Sequence, residues 1–288
     1  MKAIYKRELK SYFVNMSGPI AIAVMLFVVG LMFWVYNVYY QVASYGEYSV
    51  SGAALLFYAV VPVLTMRCFS EEKKQKTDQI LLTSPVSIPS IVMGKYLALI
   101  TVFAIPTAIM CALPIIVKAF GSTTFLRDYV TIIAFFLMGC AYLSIGMFFS
   151  TLTESQIIAV ILSILFVFVT QMVTNVTNLM SSGSFVSLVF IVVLLAILGL
   201  IIYLMTKNYW ISLISACVLI IGACVFYHFN SSWFAGKAGD ILGVLDFSST
   251  LSSFSGGTLD ITGYVRFLSF IAIGIILSIV SIQKRRWS

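Results

Sequence analysis

The chain has 288 residues, of which 61% are apolar and 9% charged, with 17 Lys and Arg against 10 Asp and Glu. Soluble domains average about 25% charged residues, so this composition excludes an ordinary soluble enzyme and a nucleic-acid binder. Lipid is the solvent for most of the chain.

Residues 1–16 precede the first long apolar run. Tyr5, Leu9 and Tyr12–Phe13 share one helical face, while Lys6, Arg7 and Lys10 are turned elsewhere. This pattern predicts an amphipathic helix lying in the membrane interface. About eight transmembrane helices follow, roughly at 18–40, 49–68, 94–117, 128–150, 155–177, 185–206, 208–228 and 264–283. They rest on charge-free runs, such as 36 residues over Ser11–Gly46 and 25 over Tyr129–Thr153. The run Ser155–Thr206, 52 residues long, holds two spans divided by the polar stretch Asn175–Ser184. A spanning helix needs about 20 apolar residues. Backbone groups in lipid must be satisfied internally, so such runs form helices. The expected architecture is an all-α polytopic membrane protein, with the whole of 1–288 as one transmembrane domain.

Charge sets the orientation. With the N-terminus in the cytoplasm, 13 Lys and Arg fall inside and four (Lys118, Arg127, Lys237 and Arg266) fall outside. That is the positive-inside bias. An even number of spans then returns the C-terminus, with Lys284, Arg285 and Arg286, to the cytoplasm.

The cytoplasmic loop 67–94 is the most distinctive segment. Glu71, Glu72, Lys73, Lys74, Lys76 and Asp78 crowd into eight residues. Ser70 is placed to cap a helix running through Leu82, with Ile80–Leu82 as an apolar patch at its end. Pro85 and Pro89 then re-aim the chain. Charged flanks around an apolar patch suit either a solvated connector or a docking element for a cytoplasmic partner. The outer loop 229–263 is too apolar for a free linker. Leu245, Phe247, Leu251 and Phe254 predict one or two short helices on the outer membrane face.

Several chemistries are absent. The chain has no phosphate-binding G-x-x-x-x-G-K-[ST] loop, no H-E-x-x-H, no C-x-x-C and a single histidine. The five cysteines lie in or beside spans without metal-ligand spacing and read as small buried residues. Span cores carry essentially no Asp, Glu, Lys or Arg, which argues against an ion-driven carrier or a voltage sensor. Uphill transport by such a chain needs a partner's energy. At the end of the fifth span, Gln171, Thr174, Asn175 and Asn178 share one face. That stripe is either the lining of a wet pathway or the outer end of a helix emerging into water.

The run Met66–Lys74 followed by Thr77–Val86, with Gly94–Lys95–Tyr96 after it, resembles the first cytoplasmic loop of ABC-2 type ABC transporter permeases. Gly146–Gln156 resembles the turn between that family's fourth and fifth spans, and Arg285–Arg286–Trp287 also fits. The loop is most similar to the branch holding the gliding-motility permeases and the copper-site maturation permease of nitrous-oxide reduction. The resemblance covers about 1–175 and 240–288, and the segment Ser184–His228 departs from it as an extra helix pair at 185–228. It implies a bacterial plasma-membrane permease that pairs with a separate ABC ATP-binding subunit and with a second permease subunit, identical or not. It further implies that the chain binds no cofactor, ATP and Mg being held by the partner. It places an ATPase-coupling role on Arg67, Glu71, Glu72, Lys73, Lys74, Thr77, Asp78, Leu81 and Leu82, with Glu154 and Gln156 at a second cytoplasmic contact. Three functions are open: an ABC exporter subunit working by alternating access, an ABC-like complex transmitting force to envelope partners, and a stand-alone channel or carrier.

Overall fold

The computed structural model describes residues 1–77, 86–120, 124–179, 188–189, 192, 227, 237–258 and 260–287. The described residues are helical almost throughout, and six of their helices are long and apolar enough to cross a membrane. These spans are Ser17–Tyr39, Tyr45–Lys74, Ile88–Ala119, Phe125–Leu152, Gln156–Thr177 and Ile261–Lys284. The chain is a multi-pass membrane protein. The spans expected at 185–206 and 208–228 lie outside the described residues, apart from isolated positions.

The chain divides into two compact units, Met1–Val169 with Ser249–Ser288, and Thr170–Ser248. The first unit opens with α1 (Lys2–Val14), which turns at Asn15–Met16 into α2 (Ser17–Phe33). Met16 takes a left-handed φ of 60° to make that turn. A wide π-helical turn, Trp34–Tyr39, extends α2. A second one, Tyr45–Val50, starts the next span and leads into α3 (Phe57–Thr65) and the short α4 (Ser70–Lys74). The third span is α5 (Ile88–Met110), with a proline in its first turn. A break at Cys111–Ala112 separates it from α6 (Leu113–Phe120). The span begins six residues earlier than expected, so Lys95 lies two turns inside the helix and not at its start.

The centre of this unit is α7 (Phe125–Leu152). Its 28 residues extend about 42 Å at 1.5 Å each, more than a hydrocarbon core of about 30 Å requires. Most of it is buried, unlike a span facing lipid all round. Phe57, Phe103, Phe135 and Tyr142 form an aromatic cluster between α3, α5 and α7, with Phe57 and Phe135 centred 4.8 Å apart. The last span, α11 (Ile261–Trp287), packs along α7. There a Cβ on Gly274 would sit 2.6 Å from the Ser144 hydroxyl. In a membrane, small residues let helix backbones approach closely where no hydrophobic force drives them together.

The fifth span, α8 (Gln156–Leu179), begins in this unit and ends in the second. The segment before the last span contains two short helices, α9 (Lys237–Gly243) and α10 (Phe247–Ser255). Within the second unit, the Thr174 hydroxyl meets Asp246 Oδ1 at 2.7 Å.

Candidate functional site

Ser70–Lys74 is where the loop resembling a coupling element meets the rest of the first unit. The helix is shorter than expected. It ends at Lys74, and Lys76 takes a left-handed φ of 56° just beyond it. Ser70 is not its cap, since its hydroxyl donates to the Met66 carbonyl inside the preceding turn. The cap comes from elsewhere in the chain. Ser150, near the end of α7, accepts the Phe69 N–H at 3.0 Å and the Ser70 N–H at 3.1 Å. Lys73 Nζ donates to the carbonyl of Thr151. The two loop regions that resemble the family's motifs are thus joined directly.

A buried ion cluster holds the other side of α4. Lys95 of α5 is 1% exposed. Its Nζ lies 2.9 Å from Glu72 Oε1, 3.2 Å from Glu8 Oε1 and 2.8 Å from the Cys68 carbonyl. It also sits 4.9 Å from the centre of the Phe69 ring, within cation–π range. Arg7 reaches the same two carboxylates, at 3.1 Å from Glu8 and 3.0 Å from Glu72. Two cations and two anions therefore share one site. That balance is what permits a lysine to be buried, because desolvating an unpaired charge is prohibitive.

The N-terminal helix supplies half of this site. Tyr12 donates to the Leu64 carbonyl at 3.1 Å, and the Tyr5 and Thr101 hydroxyls meet at 3.0 Å. Burial raises the Tyr12 phenol well above its ordinary pKa, so it stays protonated as a donor. The face holding Tyr5, Leu9 and Tyr12 also carries Glu8, and Phe13 is exposed beside it. A cavity of about 40 Å³, lined in part by Glu8, Tyr12, Arg67 and Glu71, lies between α1 and α4. It has room for a single water.

The expected coupling residues differ in exposure. Glu72 and Lys73 point into the protein. Arg67 and Glu71 are half-buried, with Arg67 Nε 4.0 Å from Glu71 Oε2. Lys74 and Thr77 are exposed. Asp78, Leu81 and Leu82 lie outside the described residues. Glu154 is exposed in the turn between α7 and α8, and Gln156 is the half-buried first residue of α8. In the polar stripe of α8, Gln171 and Thr174 are half-buried and Asn175 is exposed. The side chain of Asn178 lies outside the described residues.

At the opposite end of the first unit, Arg127 bridges Glu47 Oε2 at 2.5 Å and the Ser255 carbonyl. The neighbouring Asp128 is fully buried and accepts the Gly46 N–H at 2.7 Å. Arg127, which counts in the sequence only as a topology marker, thus joins Asp128 in fastening the turn 45–50 to α7, and also holds the end of α10. In the sequence, Lys95 and Ser150 stand only as members of the resembling motifs, without a role, and Glu8 is not singled out. One signal was available: a lysine at the eighth position of a 23-residue, otherwise uncharged helix needs a partner.

Comparison with protein-family models matches residues 30–229 to the family described as ABC-2 family transporter protein. The chain belongs to the ABC-2 family of transporter membrane proteins. No curated protein matches it. The matched ABC-2 region contains α4, Lys95 and Ser150, and it runs through 185–228, the segment set apart in the sequence as a departure. Members of this family lack an ATPase domain of their own.

Proposed function

We propose that this ABC-2 chain is the permease subunit of an ATP-driven exporter, in which α4 and the exposed residues after it dock on a separate ATP-binding subunit. The observation that carries this reading is the anchoring of α4. Polar contacts tie it directly to α5 and α7 and, through Lys95, to Glu8 of α1, so a push on the loop reaches three helices. A solvated connector needs no such anchoring, because surface ion pairs contribute little to stability. Lys74, Lys76 and Thr77 form the outward surface, and the segment through Asp78, Leu81 and Leu82 continues the docking element. Glu154 and Gln156 flank it as the second contact. ATP and Mg belong to the partner, and two permease chains complete the unit. Gln171, Thr174, Asn175 and Asn178 line the route near the outer leaflet. ATP closes the ATPase pair and the spans rock between inward and outward access, which requires contacts that differ between the two states.

The loop pattern further favours the branch of gliding-motility and nitrous-oxide-reductase maturation permeases. That branch brings in a second reading, a complex that transmits ATPase force to envelope partners. Purification of the full chain from its own membrane tests the shared part: an ATP-binding subunit should accompany it, and its absence overturns both readings. ATP-driven solute flux in reconstituted vesicles then supports the exporter alone.

A further inference from the structure

We propose that Lys95 is a positioning residue through which movement of the docking loop is passed to α1 and α5. This inference rests on the coupling role proposed above for α4 and goes beyond it.

Lys95 is the point where three separate pieces of chain meet. Its ammonium group contacts Glu8 from α1, Glu72 from α4 and the Cys68 carbonyl at the end of the second span. Lys95 itself belongs to α5. The alternative links between these pieces are weaker. Arg7 touches both carboxylates, but its side chain is 59% exposed, where water and salt screen the interaction. Ser150 and Lys73 tie α4 to α7. Contact between α1 and α5 also runs through Tyr5 and Thr101, but that pair does not involve α4. Among the described residues, Lys95 is thus the buried polar connection from α4 to both helices.

A lysine suits this position. Its ammonium group has three donors and no acceptor, and three oxygens surround it here. A carboxylate displaced with α4 pulls directly on Lys95. The charges bind strongly because they are out of water, and they cannot part without exposing one another. Movement of α4 is therefore cheaper when α1 and α5 follow than when they stay.

The test uses hydrogen exchange on the full chain in complex with its co-purified ATP-binding subunit, with and without ATP. Lys95→Met alone leaves two carboxylates facing each other and risks misfolding. The double variant Lys95→Met with Glu8→Gln removes one charge of each sign and leaves Glu72 paired with Arg7, so the docking loop keeps its own sequence. In the wild-type complex, ATP should change exchange in residues 66–77, in α1 and in the first turns of α5. In the double variant, the change in 66–77 should persist and the changes in α1 and α5 should be lost. Lys95→Arg, which keeps the charge, should restore them. A merely structural role predicts instead that all three regions still respond once the charges are balanced, and that result overturns the proposal. If ATP leaves 66–77 unchanged in the wild-type complex, the coupling role of α4 itself fails, and this inference falls with it.

Discussion

Ser150 accepts the backbone N–H of Ser70 at 3.1 Å across 80 residues of sequence. The same hydroxyl accepts the N–H of Phe69 at 3.0 Å. The first N–H groups of a helix have no partner within it, and here α7 supplies one to α4. Ser150→Ala should strand two buried amides, at a cost of about 1–3 kcal/mol for a buried group left unpaired. Thermal unfolding in detergent should show the loss, and protease should cut 70–77 faster than in the wild type. An unchanged midpoint with unchanged cleavage would remove Ser150 from the anchoring of α4.

The proposed docking surface and the anchor should respond to different substitutions. Lys74 is exposed, as is Lys76, so Lys74→Glu with Lys76→Glu should weaken retention of the ATP-binding subunit with little effect on unfolding. Glu72→Lys places a third cation beside Lys95 and Arg7 in a site that Lys95 enters at 2.9 Å. Breaking a buried pair this way costs about 3–5 kcal/mol, so this variant should lose stability first. Equal effects of both changes on thermal unfolding would show that the surface and the anchor are not distinct.

The long spans were legible because lipid leaves the backbone few choices. A charge-free run such as Tyr129–Thr153 has to become a helix, and α7 covers it as far as Leu152. Helix ends were less legible. Ser70 looked like a cap in its local sequence, yet the partner that satisfies those amides is Ser150, which no local pattern reveals. The anchoring site had the same difficulty. Glu8 and Lys95 are 87 positions apart; Glu8 reads locally as one charge among Lys6, Arg7 and Lys10, and Lys95 as an isolated charge near a membrane boundary. Only packing α1 against α5 brings them to 3.2 Å. The docking loop was recognisable as a motif, but its division into inward Glu72 and outward Lys74 depends on the short helix that ends at Lys74.

Close packing of α7 on α11 should be intolerant of added volume at Gly274. A Cβ there falls 2.6 Å from Ser144 Oγ and 2.8 Å from the Ser144 carbonyl carbon, and neither is the flexible end of a long side chain. Overpacking of this kind costs about 1–3 kcal/mol, so Gly274→Ala should lower the unfolding midpoint, and Gly274→Leu should lower it further. Gly30→Ala is the control, since a Cβ there meets nothing within 4 Å. Equal tolerance at both positions would mean that α11 does not approach α7 as closely as the structure has it.

On the opposite end of the first unit, Arg127 should act as a clamp on two segments at once. Its guanidinium holds Glu47 at 2.5 Å and donates to the Ser255 carbonyl. The Arg127–Glu47 pair is partly exposed, so the ion pair alone should contribute only about 0–1 kcal/mol. The carbonyl contact fixes the end of α10, and charge is not needed for that. Arg127→Gln should therefore raise hydrogen exchange in both 45–50 and 247–255, whereas Glu47→Gln should raise it in 45–50 only. Residues 66–77 should be unaffected by either change, because Ser150 and Lys95 hold them independently. Matched loosening of 247–255 in both variants would show that the ion pair, and not the Ser255 contact, carries the clamp.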